Sequence, residues 1–189
     1  MSCWKCHEPV SGPVCVGCGA IQPPPAQPDF FAILGLPRTY ALDDAALSSA
    51  WREVSRKVHP DRYAGRPAVE RRMSLQWTAV INEARRVLRD PVSRTRYLAS
   101  GRTRPPEEGG PVLDPEFLEE MFDLRMAADE DPDAVRPRAE RWRQSIWDEL
   151  DGVFARWSAG QGDLAAVEER LARLKYLDNL IKTATAEGT

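Results

Sequence analysis

The stretch WREVSRKVHPDRYA, residues 51–64, decides how the middle of this chain folds. Trp51, Val54 and Val58 continue an apolar stripe that begins at Leu47, in steps of four, three and four, so residues from Asp43 to Val58 are expected to form one amphipathic helix. Asp43 is its expected N-cap. The helix must end at His59, because the residue before a proline is pushed out of the α region. His59, Pro60 and Asp61 therefore occupy a loop. Arg52, Arg56 and Lys57 fall off the stripe and project towards solvent.

Working outward, DFFAILGLP (residues 29–37) reads as a short helix capped by Asp29, made apolar by Phe30, Phe31 and Leu34, and stopped by Gly35 and Pro37. After the loop, a long helix is expected from near Pro67 to about Arg89, with Met73, Trp77, Val80, Ile81, Ala84 and Leu88 as its stripe. A fourth, from Pro91 to about Ser100, is capped by Asp90 and ended by Gly101. Trp51 and Trp77 lie on the apolar stripes, so both read as core.

The four cysteines of the 189-residue chain all fall within the first 18 residues, as Cys3-x-x-Cys6 and Cys15-x-x-Cys18. Cys3-Trp4-Lys5-Cys6-His7 also matches the haem-attachment pattern, but that reading needs export and leaves Cys15 and Cys18 unexplained. A redox pair would open a helix beside a βαβ unit, and no such pattern follows. Two knuckles supply the four corners of a tetrahedral Zn²⁺ site, with no open position for catalysis. Gly12, Gly17 and Gly19 suit the tight turns, where positive φ is needed, and His7 is a bystander. QPPPAQP, residues 22–28, then serves as a semi-rigid spacer.

Hydrophobic content of 42% and charged content of 29% fit a soluble globular chain. No apolar run has the ~20 residues of a membrane span, and no secretory or transit-like leader is visible, so the expected place is the bacterial cytoplasm rather than the mitochondrial matrix. The net charge of −3 conceals a polarity: −2 over residues 1–50, +9 over 51–104 and −10 over 105–189. Such asymmetry suggests modules that meet different partners. Nucleic acid is not among them, since the aromatics of the basic part are on core stripes and the acidic part offsets its charge.

RTRPPEEGGP opens a linker over residues 102–113. Three helical segments follow: 114–131, beginning at Asp114-Pro115; 134–158, with Ala139, Trp142, Ile146, Leu150, Val153 and Trp157 as its stripe and Pro137 near its start; and 163–186, with Leu164, Val167, Leu171, Leu174, Leu177 and Ile181. These make a three-helix bundle over 114–189. It contains no nucleophile–base pair, metal cluster or phosphate loop, so the protein is expected to bind rather than catalyse. The fold class is all-α, with a metal knuckle at the N-terminus.

Residues 29–101 resemble a J-domain, the module that activates ATPase chaperones of the seventy-kilodalton class. HPD at the end of a basic helix, followed by INEARRVLRDPVSRTRYL, is the basis. The order of DFFAILGLPRTYALD, WREVSRKVHPDRYA and that third piece is similar to the HscB-type co-chaperones of iron–sulfur cluster assembly. The tetracysteine module over 1–21, with its proline-rich join, resembles the zinc extension of eukaryotic members. The resemblance implies that Asp61 contacts a DnaK- or HscA-type chaperone and promotes its ATP hydrolysis, that His59 and Pro60 fix the loop, and that Arg52, Arg56, Lys57 and Arg62 steer the encounter. Zn²⁺ would be held by Cys3, Cys6, Cys15 and Cys18.

FLEEMFDLRMAAD and LKYLDNL, residues 117–129 and 174–180, resemble the HscB client-binding domain. The implied patch for the iron–sulfur scaffold protein is Leu118, Phe122 and Tyr176, rimmed by Asp123 and Arg125. Phe117, Met121 and Leu124 would serve the core from the other side. Two departures stand out: Glu119 replaces the methionine of the bacterial pattern, and Met126 replaces an acidic residue. A J-domain co-chaperone with a different client is the alternative.

Overall fold

Aspartates cap five of the seven α-helices among the described residues of the computed structural model, which describes residues 2–107 and 110–186. Met1 of the knuckle, residues 108–109 of the expected linker and residues 187–189 of the expected bundle lie outside the described residues. Asp29 accepts from the N–H groups of Phe31 and Ala32, Asp43 from Ala46, Asp90 from Ser93, Asp114 from Glu116 and Asp131 from Ala134. Each such cap is worth ~1 kcal/mol.

Residues 1–94 and 95–189 form two compact units. In the first, α1 (Phe30–Leu34), α2 (Asp44–Val58) and α3 (Ala68–Arg89) pack on one another, and a 3₁₀ turn over Pro60–Tyr63 joins α2 towards α3. Its core holds Phe31, Leu47, Val58, Trp77, Ile81 and Leu88, all buried. Trp51 differs from the expectation. It is half-buried, donates from Nε1 to Asn82 Oδ1 at 3.1 Å and carries the Arg85 guanidinium 4.4 Å from its ring centre. Helix α4 (Pro91–Ser100) runs across the border between the units.

In the second unit, α6 (Pro132–Ser158) packs against both α5 (Pro115–Glu130) and α7 (Val167–Ala186). Phe117 and Leu124 of α5, Ile146, Leu150 and Phe154 of α6, and Leu171, Leu174 and Leu177 of α7 are its buried centre. Helix α6 starts two residues earlier than the stripe suggests, because Asp131 caps it and Pro132 takes its first position; Pro137 is accommodated inside. Helix α7 starts later than expected. Gly160 and Gly162 have φ of 73° and 79°, and Asp163 accepts from the Ala165 N–H, so residues 163–166 form a turn rather than helix. Among the described residues no helix is long and apolar enough to cross a membrane.

The knuckle is built from two matching turns. The His7 N–H donates to the Cys3 carbonyl at 3.0 Å and the Gly19 N–H to the Cys15 carbonyl at 2.9 Å. Cys3 N–H then donates to Glu8 at 2.8 Å, and Cys15 N–H to Ala20 at 2.9 Å. The left-handed residue of each turn follows the second cysteine: Gly19 at φ 71° and His7 at φ 65°. Gly12 and Gly17 do not take positive φ, contrary to the sequence expectation. His7 is therefore a turn residue, the counterpart of Gly19.

Candidate functional sites

The α2–α3 connection presents Asp61. Its side chain is 91% exposed, on a turn that is otherwise held firmly. His59 is extended (φ −58°, ψ 133°), and its Nδ1 accepts from the Asp61 N–H at 3.3 Å. Because Nδ1 is an acceptor, its 3.5 Å approach to Asp61 Oδ2 is not an ion pair in this arrangement. The last carbonyls of α2 would be orphans where the helix stops. Side chains beyond it satisfy three of them: Arg62 donates to Arg56 at 3.1 Å, the buried Tyr63 hydroxyl to Lys57 at 3.1 Å and Ser74 to Val58 at 2.6 Å. Burial pushes the Tyr63 hydroxyl pKa up. Arg52, Arg56, Lys57 and Arg62 are all exposed, and Lys57 pairs with Glu53 at 2.7 Å, which holds the Glu53 carboxyl below its usual range.

All four cysteine sulfurs lie within 4.8 Å of one another. Cys3 Sγ is 3.6 Å from Cys18 Sγ, and Cys6 Sγ is 3.7 Å from Cys15 Sγ. A tetrahedron with metal–sulfur bonds of ~2.3 Å has edges of ~3.8 Å, so the four sulfurs fit a tetrathiolate metal site. Burial pushes the Cys3 thiol up, but hydrogen bonds from the Cys6 and Lys5 backbone and from the Cys6 and Cys18 side chains outweigh it, leaving Cys3 at about 6. For Cys6, a backbone hydrogen bond at Glu8 pulls down, and the Cys18 side chain, burial and the other two thiols outweigh it, raising Cys6 to about 12. Crowded thiols cannot all ionise without a cation among them.

Gln22 joins this cluster to α3. It is 4% exposed. Its side-chain amide donates to Cys3 Sγ at 3.3 Å and to the Ala20 carbonyl at 2.8 Å, while its Oε1 accepts from the Trp4 N–H at 3.2 Å. Its own carbonyl accepts from Trp77 Nε1 at 2.7 Å.

In the second unit, Leu118, Phe122 and Met126 form one exposed line along α5, spaced by four, while Phe117, Met121, Leu124 and Ala128 turn inward. Leu118, Phe122, Arg125 and Tyr176 line one cleft of about 380 Å³ between α5 and α7. Tyr176 is half-exposed, but its ring edge packs on buried Phe117 at 6.2 Å, which fixes its position. Asp123 is exposed and does not line this cleft.

A family model described as the DnaJ domain matches residues 29–97. The co-chaperone protein HscB homolog of Bordetella avium is 34% identical over 169 residues, which cover 85% of this chain and 98% of that protein. This chain belongs to the HscB co-chaperone family. The HscB homolog of Azoarcus sp. is 35% identical over 160 residues, covering 82% of this chain and 90% of that one. The crystal structure of human co-chaperone protein HscB is similar over 100% of this chain and 98% of its own, with a TM-score of 0.78 and 25% identity. HscB from Vibrio cholerae, also 25% identical, covers 85% of this chain and 98% of its own with a TM-score of 0.66.

Within this HscB-family chain, three features escaped sequence reasoning. Met126 departs from the bacterial pattern, and its spacing from Leu118 and Phe122 puts it on their line. Asn179 and Thr183 complete the α7 side of the cleft, and their spacing from Tyr176 was the available signal. Gln22 gave no signal, because it heads a run of prolines.

Proposed function

We propose that this protein is a non-enzymatic co-chaperone of iron–sulfur cluster assembly. The basic face of α2 steers an ATPase chaperone of the DnaK or HscA type to the α2–α3 turn; such steering raises the encounter rate more than the affinity. Asp61 then pairs with a basic group of the chaperone and promotes its ATP hydrolysis, with His59 and Pro60 setting the direction of the carboxylate. The cleft lined by Leu118, Phe122, Arg125 and Tyr176 holds the scaffold protein. Cys3, Cys6, Cys15 and Cys18 hold Zn²⁺, which supplies folding free energy to the knuckle when bound. Its proposed place of action is the bacterial cytoplasm.

The observation that carries this reading is the exposed Asp61 carboxylate, presented by a turn that is held by side-chain hydrogen bonds to the last carbonyls of α2. Asp61→Asn keeps the shape and removes the charge, so stimulation of the chaperone's ATPase should be lost; stimulation that survives would refute the mechanism. Calorimetric titration with the iron–sulfur scaffold of the same organism tests the client. Phe122→Ala should weaken binding ~10-fold, about 1.4 kcal/mol, with ATPase stimulation intact. No binding by the unmodified protein would give the cleft to a different client, a reading favoured by Glu119 and Met126.

A further inference from the structure

We infer that the cysteine knuckle forms a second arm of the chaperone-binding surface, so that the ATPase chaperone touches it as well as the Asp61 turn. This rests on the proposed function above and names a further contact for it. The Gln22–Trp77 hydrogen bond fastens the knuckle to α3. Between the knuckle and the end of α2 lies a cleft of about 570 Å³. One wall is apolar and belongs to the knuckle, with Val10, Val14 and Val16. The other wall carries Lys57, Arg62 and Arg66.

Charge selects the occupant. The lining contains these three cations and no carboxylate. Glu53 pairs with Lys57, but Arg62 and Arg66 have no carboxylate partner among the described residues. Val16 is 98% exposed, which makes it an apolar anchor with nothing of this chain upon it. A wall of cations facing a wall of valines fits an acidic surface that carries apolar side chains. Arg62 directly follows Asp61, so the cleft is continuous with the proposed contact at that carboxylate. A partner seated on Asp61 is therefore brought against the knuckle without a second docking event.

The test is ATPase stimulation of the same organism's chaperone, titrated with the full-length, zinc-loaded protein and its variants. Val16→Asp and Arg66→Glu should each raise the half-saturating concentration about fivefold or more while leaving maximal stimulation in place, since they oppose the encounter and spare Asp61. Val16→Lys should raise it less than Val16→Asp, since it loses the same apolar anchor but adds a cation that suits an acidic partner. Val112→Asp makes the same charge change at another exposed valine outside the cleft and should have no effect. Both Val16 and Arg66 are exposed, so neither variant threatens the fold. Unchanged half-saturation for Val16→Asp and Arg66→Glu, or an equal rise for Val112→Asp, overturns the inference and leaves the Asp61 reading standing. Absence of stimulation by the unmodified protein overturns both. A dimer in sedimentation that Val16→Asp dissociates, with the chaperone response unchanged, would give the cleft to a second copy of this chain and also overturn it.

Discussion

The knuckle and the three-helix bundle reach a defined structure by opposite means. The bundle closes α5, α6 and α7 over Phe117, Leu124, Ile146, Leu150, Leu171, Leu174 and Leu177, and needs nothing but its own side chains. The knuckle has Cys3, Cys15 and Ala20 as its buried cluster, with Cys6 and Val10 against it. So small an interior cannot by itself offset chain entropy, and the four sulfurs fit a metal ion that would do so when bound. The difference teaches where each region is vulnerable. The bundle spreads its stability over many buried side chains, whereas the knuckle has no reserve once one sulfur ligand is gone.

Metal removal should separate the two most sharply. With a strong chelator, or in Cys18→Ser, the knuckle should lose on the order of 10 kcal/mol of metal-dependent folding energy. The amide signals of residues 2–21 should then report unfolding while helical circular dichroism persists. Collapse of the bundle at the same step would break the comparison. Acid should act in the same direction, since bound thiolates compete with protons and affinity falls as pH falls.

Next in size is Leu150→Ala, a fully buried truncation expected to cost about 3 kcal/mol in urea unfolding. Metal affinity should not change. Trp77→Phe comes third: it keeps the aromatic body and deletes the donor to Gln22. A buried carbonyl left unpaired costs about 1–3 kcal/mol, read here as faster amide exchange in residues 2–22 with α5–α7 unaffected. Smallest is Phe122→Ala, 64% exposed, expected to shift stability by no more than ~0.5 kcal/mol. A larger loss would mean that Phe122 belongs to the bundle core rather than to a client cleft.

Much of the fold was legible because the signals are local. An aspartate before a helix and a stripe of apolar residues need only a few neighbours to be read, as at Asp43 with Leu47 and Val54. The Asp61 turn followed from one proline. What was not legible depends on pairs distant in sequence. Gln22 and Trp77 are joined across 55 positions, and nothing in QPPPAQP marks its first residue as a buried tie. The glycines misled for a different reason. Composition points to Gly12, Gly17 and Gly19 as the left-handed residues, but hydrogen bonding back to Cys3 and Cys15 sets φ instead, and that gives the role to Gly19 and His7. Of the expected client residues, Asp123 was not brought to the cleft, because its place on α5 lies off the line of Leu118 and Phe122.

The carbonyls of Arg56, Lys57 and Val58 bear on whether this recognition element can be moved. Their partners are Arg62, Tyr63 and Ser74, the last of them on the following helix. A tripeptide grafted onto another helical hairpin would bring the carboxylate but leave those oxygens to water, and the turn would sample many directions. The ordering entropy would then fall due at each encounter rather than once, at folding. A transplant that works should have to carry at least residues 56–74, from the last turn of α2 through the first turns of α3, as one unit.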